Sequence, residues 1–208
     1  MAKPPKCKVC KNEFTRQRPF QVCCSYEHAI IFAKENQSKK AKKDWVKEKA
    51  ELKEKIMTKS DWENRLQYYI NQIIHSIDKN VPCIATGATT GKRNAGHRFS
   101  IGSTIPLRYN LHNIHIQSEH SNNFKGGDND RYDDGLIKVY GQEYRDYIHT
   151  LRQIKPLHLT IETIKEKILI AKLIKKELIE LGNTYTAFER IQLRHDLNQR
   201  IGLYLDCF

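Results

Sequence analysis

The chain has 208 residues, of which 39 % are hydrophobic and 29 % charged, with a mean hydropathy of −0.68. Its best apolar run, ILIAKLI at 168–174, is interrupted by a lysine and falls far short of the roughly 18 residues a membrane span needs. The net charge is +12, and residues 1–60 carry sixteen basic against seven acidic side chains. A basic excess concentrated in the first third suits a polyanion, because neutralising phosphates releases their counterions.

The opening MAKPPKCKVC has no apolar core of a signal peptide, so the cytoplasm is the expected compartment. Six cysteines stand at 7, 10, 23, 24, 83 and 207. In such a compartment a close Cys-x-x-Cys pair binds metal more often than it forms a disulfide. Cys7 and Cys10 make such a pair, and a helix starting near Ser25 puts Cys24 and His28 one turn apart on one face. Cys7, Cys10, Cys24 and His28 therefore form the expected Cys₃His structural zinc site, with Cys23 as the alternative to Cys24. Four protein ligands leave no open position, so the ion serves the fold of a head too short for its own core.

From Ala29 to about Thr58 the chain has neither Gly nor Pro and is dense in Lys, Glu and Ala, which predicts a long, exposed helix. Glu35–Lys39 and Glu51–Lys55 are its favourable i,i+4 pairs. Lys39, Lys40, Lys42, Lys43 and Lys47 are the expected contacts to nucleic-acid backbone. Ser60 and Glu63 read as a capping box for a second helix, 60–80, with apolar positions 62, 66, 69, 70, 73, 74 and 77 as its stripe and Pro82 as the residue that ends it. Residues 83–131 read as loop-rich, with LRYNLHNIHI as strand-like. Helix returns from about Asp134, breaks at Gly141 and stops before Pro156. A further helix runs from the N-cap Thr160 to the stop at Gly182, and a last one covers about 184–204.

The stretch 95–127 holds four of the nine histidines and one carboxylate, Glu119. Phosphodiester cleavage needs a base to activate water and a cation to stabilise the charged transition state. A histidine suits the first task, and Mg²⁺ or Mn²⁺, which keeps several of its waters, suits the second with few protein ligands.

AGH at 95–97, LRYNLHNIHIQ, SNNFKGG and YDDGLIKVYGQE, in that order, resemble the NinG (Rap) family of lambdoid phage recombination endonucleases, of the HNH or ββα-metal group. The resemblance is close over roughly residues 80–150 and looser elsewhere. It implies a general base at His97, an orienting asparagine at Asn113, and a metal-ligating Asn122 opening the helix of the ββα unit. Arg108 and Tyr132 match recurring positions near the site. Arg108 is the expected phosphate clamp, its guanidinium able to contact two oxygens; Lys125 is a further nucleic-acid contact.

Two departures accompany the match. The family pattern has two Cys-x-x-Cys pairs around the hairpin, forming a second zinc, whereas this chain reads Cys83-Ile-Ala-Thr86 and Ser118-Glu-His-Ser121. Hydrogen bonds or packing are therefore expected to hold the hairpin, with His120 beside Cys83 as a weaker alternative. Many HNH enzymes also carry an aspartate just before the base histidine, where this chain has Gly96. Glu119, Asp128 and Asp130 are the open candidates to complete the metal's ligands. His112 and His115 read as structural strand residues, and His75, His149, His158 and His195 have no company that argues for chemistry.

The expected fold is α+β and mostly helical: an N-terminal zinc-binding finger at 1–33, a lysine-rich helical arm at 34–59, a small ββα-metal (HNH-like) core at 60–154, and C-terminal helices at 155–208. The implied function is nicking of branched DNA, such as Holliday junctions and D-loops, in phage recombination within a bacterial host. A homodimer would suit a symmetric junction, with helices 60–80 and 160–182 as contacts. The alternatives are a non-catalytic, zinc-containing branched-DNA-binding protein with a decayed nuclease site and, last, an RNA-binding accessory protein.

Overall fold

The structure is a computed structural model that describes residues 4–124 and 128–204. It divides into two compact units, Met1–Met57 and Thr58–Phe208.

In the first unit a bridge between Lys6 and Glu13 closes a turn around Cys7 and Cys10. Helix α1 (Tyr26–Lys55) begins inside the head, three residues before Ala29, because Ser25 caps it by accepting from the His28 backbone N–H at 3.2 Å. Glu27 in its first turn and Lys53 and Lys55 in its last complement the helix dipole. Not one of its thirty residues is buried. Glu35 lies 3.8 Å from Lys39 as expected, but Glu51 meets Lys47, at 3.9 Å, instead of Lys55.

The second unit opens with α2 (Lys59–Ile77). Its capping box is formed by Thr58 and Asp61, not by Ser60 and Glu63. Thr58 has the extended backbone a cap requires, which leaves Ser60 inside the first turn. The helix stops at Ile77, well before Pro82, where the buried Asp78 takes the chain out of line. Strands β1 (Arg93–His97) and β2 (Ile114–Ser118) pair antiparallel, with Gly96 opposite His115 and His97 opposite Ile114. Only the end of LRYNLHNIHI is strand; residues 105–107 and 111–113 are short 3₁₀ turns. Then follow α3 (Glu119–Phe124), α4 (Asn129–Tyr140), α5 (Gln142–Thr150), α6 (Ile161–Leu181) and α7 (Ala187–Ile201). Gly141, at φ +94°, separates α4 from α5, and Gly182, at φ +61°, ends α6 in the left-handed region that glycine tolerates.

The core is assembled by α6 lying along α2. Trp62, Leu66, Ile70, Ile73, Ile74 and Ile77 are buried on α2, and Ile164, Ile168, Ala171, Ile174 and Leu178 on α6. The two stripes expected to meet a second copy thus cover one another within one chain. A second apolar cluster joins Phe99, Leu107, Tyr132, Leu136, Tyr144 and Ile148. α4 approaches the loop before β1 so closely that a Cβ on Gly135 would lie 1.8 Å from the Ile84 carbonyl oxygen.

Polar groups from α7 clamp the hairpin. Arg194, fully buried, reaches both carboxylate oxygens of Asp78 at 2.8 and 2.7 Å and donates to the Leu111 carbonyl at 3.1 Å. Asp78 in turn accepts from the backbone N–H of Ile116 in β2. Asn198 accepts from Leu111 N–H at 3.0 Å, and the Tyr204 hydroxyl accepts from Tyr109 N–H and donates to Pro106 O. A charge pair taken out of water persists only when its remaining hydrogen-bonding capacity is met in this way.

Candidate functional site

In the head, the ligand atoms of Cys7, Cys10, Cys24 and His28 lie within 4.8 Å of one another. Sγ of Cys10 and Cys24 are 3.7 Å apart, Cys7 Sγ is 3.7 Å from His28 Nδ1, and Cys24 Sγ is 3.1 Å from the same nitrogen. Zinc–sulfur bonds of about 2.3 Å at tetrahedral angles put thiolates about 3.8 Å apart, so the observed spacing fits such an ion. Cys23 stays outside the set. Although burial opposes it, backbone N–H groups of Cys24, Cys10 and Val9 hold the Cys7 thiol down to about 5, whereas burial and the neighbouring Cys10 and Cys7 push the Cys24 thiol up to about 11, so binding an ion here would release a proton. Among the described residues this is the one group of three or more Cys, His, Asp or Glu side chains able to share an ion.

Hydrogen bonds hold the hairpin to the segments around it. Ser118 N–H donates to Cys83 Sγ at 3.1 Å, Ile84 N–H to Ile116 O at 2.9 Å, and Glu119 N–H to Lys92 O at 3.0 Å.

The unit's own candidate site is a cleft of about 520 Å³ beside the hairpin, lined by His97, Arg98, Phe99, Ser100, Asn122 and Asn129 among others. His97 closes β1, and its Nε2 lies 2.9 Å from the Arg108 carbonyl oxygen. A carbonyl only accepts, so Nε2 carries the proton and Nδ1 keeps a lone pair. Burial lowers the His97 pKa, and the Arg108 charge adds to that against the opposing pull of the carbonyl. The imidazole is therefore neutral near pH 7, with Nδ1 able to accept a proton.

Asn113 sits fully buried just before β2. Its Oδ1 accepts from Phe99 N–H at 2.9 Å, while Nδ2 donates to Phe99 O at 3.0 Å and Leu107 O at 3.3 Å. That side chain fixes the backbone immediately after His97. Asn122 lies within α3 instead of opening it. Its Oδ1 would be 2.9 Å from a Cβ on Gly96, and Gln117 Oε1 would be 2.2 Å away. Amide groups thus fill the space an aspartate at position 96 would need. The Tyr132 hydroxyl donates to Gly96 O at 3.0 Å and meets His115 Nδ1 at 3.1 Å, steadying the same strand from the core.

Arg108 is not a clamp open to phosphate. Its guanidinium is held by Glu63 at 3.1 Å and Asn64 at 2.8 Å on α2, and its backbone oxygen is what serves the site. Among the candidate carboxylates, Glu119 pairs with Lys92 at 2.6 Å, Asp128 lies 3.9 Å from Arg131, and none of the three lines the cleft. Lys125 lies outside the described residues. The lysines 39, 40, 42, 43 and 47 are all exposed on α1.

Arg98 was not singled out from the sequence, yet it lines the cleft next to His97. It grips Asp133 with Nε at 2.5 Å and Nη2 at 2.6 Å, and His149 Nε2 approaches the same carboxylate at 3.1 Å. The only local signal was its adjacency to His97, since Asp133 is 35 residues away.

The family model described as "Bacteriophage Lambda NinG protein" matches residues 1–180. The chain is 32 % identical over 167 residues to Protein ninG of Escherichia phage 933W, covering 72 % of this chain and 83 % of that one. It is 33 % identical over 173 residues to Protein ninG of Enterobacteria phage H19B and 32 % over 170 residues to that of Escherichia phage lambda, with the same shares of each chain covered. No solved structure matches. Among the described residues no helix is long and apolar enough to cross a membrane. A match over most of its length, with relatives covered to more than two thirds, shows that the chain belongs to the NinG family of phage proteins.

Proposed function

We propose that the protein is a divalent-metal-dependent DNA endonuclease of phage recombination that nicks branched DNA, with an HNH-like centre built from β1, β2 and α3. The observation that carries this reading is that His97 and Asn122 share one cleft, with the lone pair of His97 left on Nδ1 by the Arg108 carbonyl. His97 would take a proton from the attacking water at Nδ1, and Asn113 would keep the following loop in place while it does so.

The donor chemistry fits a magnesium or manganese ion held through the Asn122 amide oxygen, since such ions bind through one or two protein oxygens together with substrate phosphates and waters. When bound, the ion would stabilise the charge that develops on the phosphate and the leaving oxygen. Arg98 lines this cleft, and phosphate would meet it only by competing with the Asp133 carboxylate that holds its guanidinium. The zinc head and the α1 lysines would contact the backbone without reading bases, as suits recognition of DNA shape. Action in the bacterial cytoplasm as a homodimer on symmetric junctions belongs to the same reading.

Gly96 and a cleft wall without a carboxylate favour a second reading, a non-catalytic protein that binds branched DNA. A nicking assay on a labelled four-way junction and a matched duplex, with Mg²⁺ or Mn²⁺, separates the two. Metal-dependent, junction-selective cutting that falls at least about a hundredfold in His97→Ala is expected, in line with loss of a general base. Tight junction binding without cutting by the wild type would overturn the nuclease reading in favour of the second.

A further inference from the structure

The head presents an aromatic surface that its metal cluster does not use. Phe20 is 92 % exposed and Tyr26 is 78 % exposed. They border a cleft of about 460 Å³ that also includes Arg18, Gln21 and Phe32. Phe20 has φ +61°, in the left-handed region that a bulky residue seldom enters. Its loop is nevertheless tied down. The Gln21 side chain accepts from Gln17 N–H at 2.8 Å and donates to the Cys23 carbonyl at 2.8 Å, and Lys8 N–H donates to Val22 O at 3.0 Å. A fixed loop that holds a large apolar ring in water, in an unfavourable backbone conformation, is a feature that points to a ligand.

Charge decides which ligand. Arg18 lines the cleft, and the stretch of chain from residue 6 to 27 carries Lys6, Lys8, Lys11, Arg16 and Arg18 against Glu13 and Glu27. An aromatic platform within a basic surface matches a nucleobase whose phosphates lie alongside, because every base has a π face and stacking needs no particular sequence. We infer that this cleft is a stacking site for an unpaired nucleobase of DNA, walled by Phe20 and Tyr26, with Arg18 meeting the adjoining phosphate. The inference rests on the DNA-binding part of the function proposed above and deepens it. A branch point or single-stranded flank offers unpaired bases, whereas a closed duplex does not, so the head itself would contribute to selecting branched DNA.

The test uses the full-length, zinc-loaded chain without magnesium, so that no cutting enters the readout. The probe is a single-stranded oligonucleotide containing 2-aminopurine, whose fluorescence falls on stacking, with a blunt duplex of equal charge as control. The wild type is expected to quench the probe. Phe20→Ala is expected to abolish quenching and weaken single-strand binding roughly tenfold, leaving duplex binding within about twofold, while Phe20→Trp retains both signals. Zinc content is measured in each variant; should Phe20→Ala lose its metal, Tyr26→Ala, at an exposed helix start, carries the same expectation. Quenching absent in the wild type, unchanged in the zinc-loaded alanine variants, or lost together with duplex binding would overturn the inference. A surface that ignores the oligonucleotide but is covered by a protein would be one such outcome. Junction cutting that depends on His97 would stand whichever way this result falls.

Discussion

The thirty residues of α1 bury no side chain, whereas the nineteen of α2 bury seven. The first helix rests on local causes: no Gly or Pro, a Ser25 cap, charges placed along the dipole and weak surface ion pairs worth a few tenths of a kcal/mol each. The second is held by what it covers, an apolar stripe matched by α6. The same contrast separates the two units. Residues 4–25 gather three cysteines around a histidine from α1 in place of an apolar core, while the second unit buries its own apolar side chains and a charge pair. Helical content alone does not say what keeps a segment folded.

The largest effect that can break this contrast is removal of the metal that the Cys7, Cys10, Cys24 and His28 cluster could hold. Apparent binding energies of structural zinc are on the order of 10 kcal/mol, so stripping it from the head, or making Cys10→Ser, is expected to unfold residues 4–25. Limited proteolysis should then cut within the head while the melting of the second unit stays where it was. A protease-resistant, metal-free head would show that the cluster is not what holds it.

Next in size is Asp78→Ala. It leaves the Arg194 guanidinium buried without its carboxylate, which costs about 3–5 kcal/mol. Urea unfolding of the second unit should shift accordingly, while one zinc per chain is retained. A shift below about 1 kcal/mol would mean that water or a rearranged side chain satisfies the arginine.

Acid should sharpen the comparison further. Burial, followed by the charges of Arg194 and His195, pushes His112 down to about 3, and burial with Arg194 sets His115 well below its usual range. Unfolded, both titrate near 6.5, so below that pH the unfolded chain binds protons that the fold refuses. Stability of the second unit is full above about pH 6.5 and falls as pH drops, by up to about 1.4 kcal/mol per histidine per pH unit. For His112 this loss runs down to about pH 3. Denaturation midpoints at pH 7 and 5.5 measure it, and equal midpoints would contradict the buried, neutral imidazoles. The smallest effect is Thr58→Ala, which removes the capping box of α2 at a cost of about 1 kcal/mol, read from the same urea curves.

Features that depend on neighbours in sequence were legible from it. The four-residue step from Cys24 to His28 identified the ligand face, Thr160 and Gly182 bounded α6, and Gly141 marked the break between α4 and α5. The cap of α2 was misread because Ser60–Glu63 and Thr58–Asp61 fit the same spacing, and only the extended backbone of Thr58 distinguishes them. Long-range partners left no mark. Nothing at Arg108 announces Glu63 and Asn64, 45 and 44 residues away, and nothing at Asp78 announces Arg194, 116 residues on. His149 seemed to lack company because its company is Asp133, one helix back in the fold.

The clamp that α7 places on the hairpin lies beyond residue 180, where the match to the family model ends. Around that hairpin the described thiol is Cys83, which is buried. Oxidants and metal starvation therefore meet an asymmetric target. Loss of thiolate at Cys10 or Cys24, both partly exposed, would release any ion the cluster holds and the head with it. The hairpin that carries His97 is fastened mainly by a guanidinium, an amide and a phenol, and among the described residues its one thiol contact is to the buried Cys83, so it would keep more of its shape through the same insult.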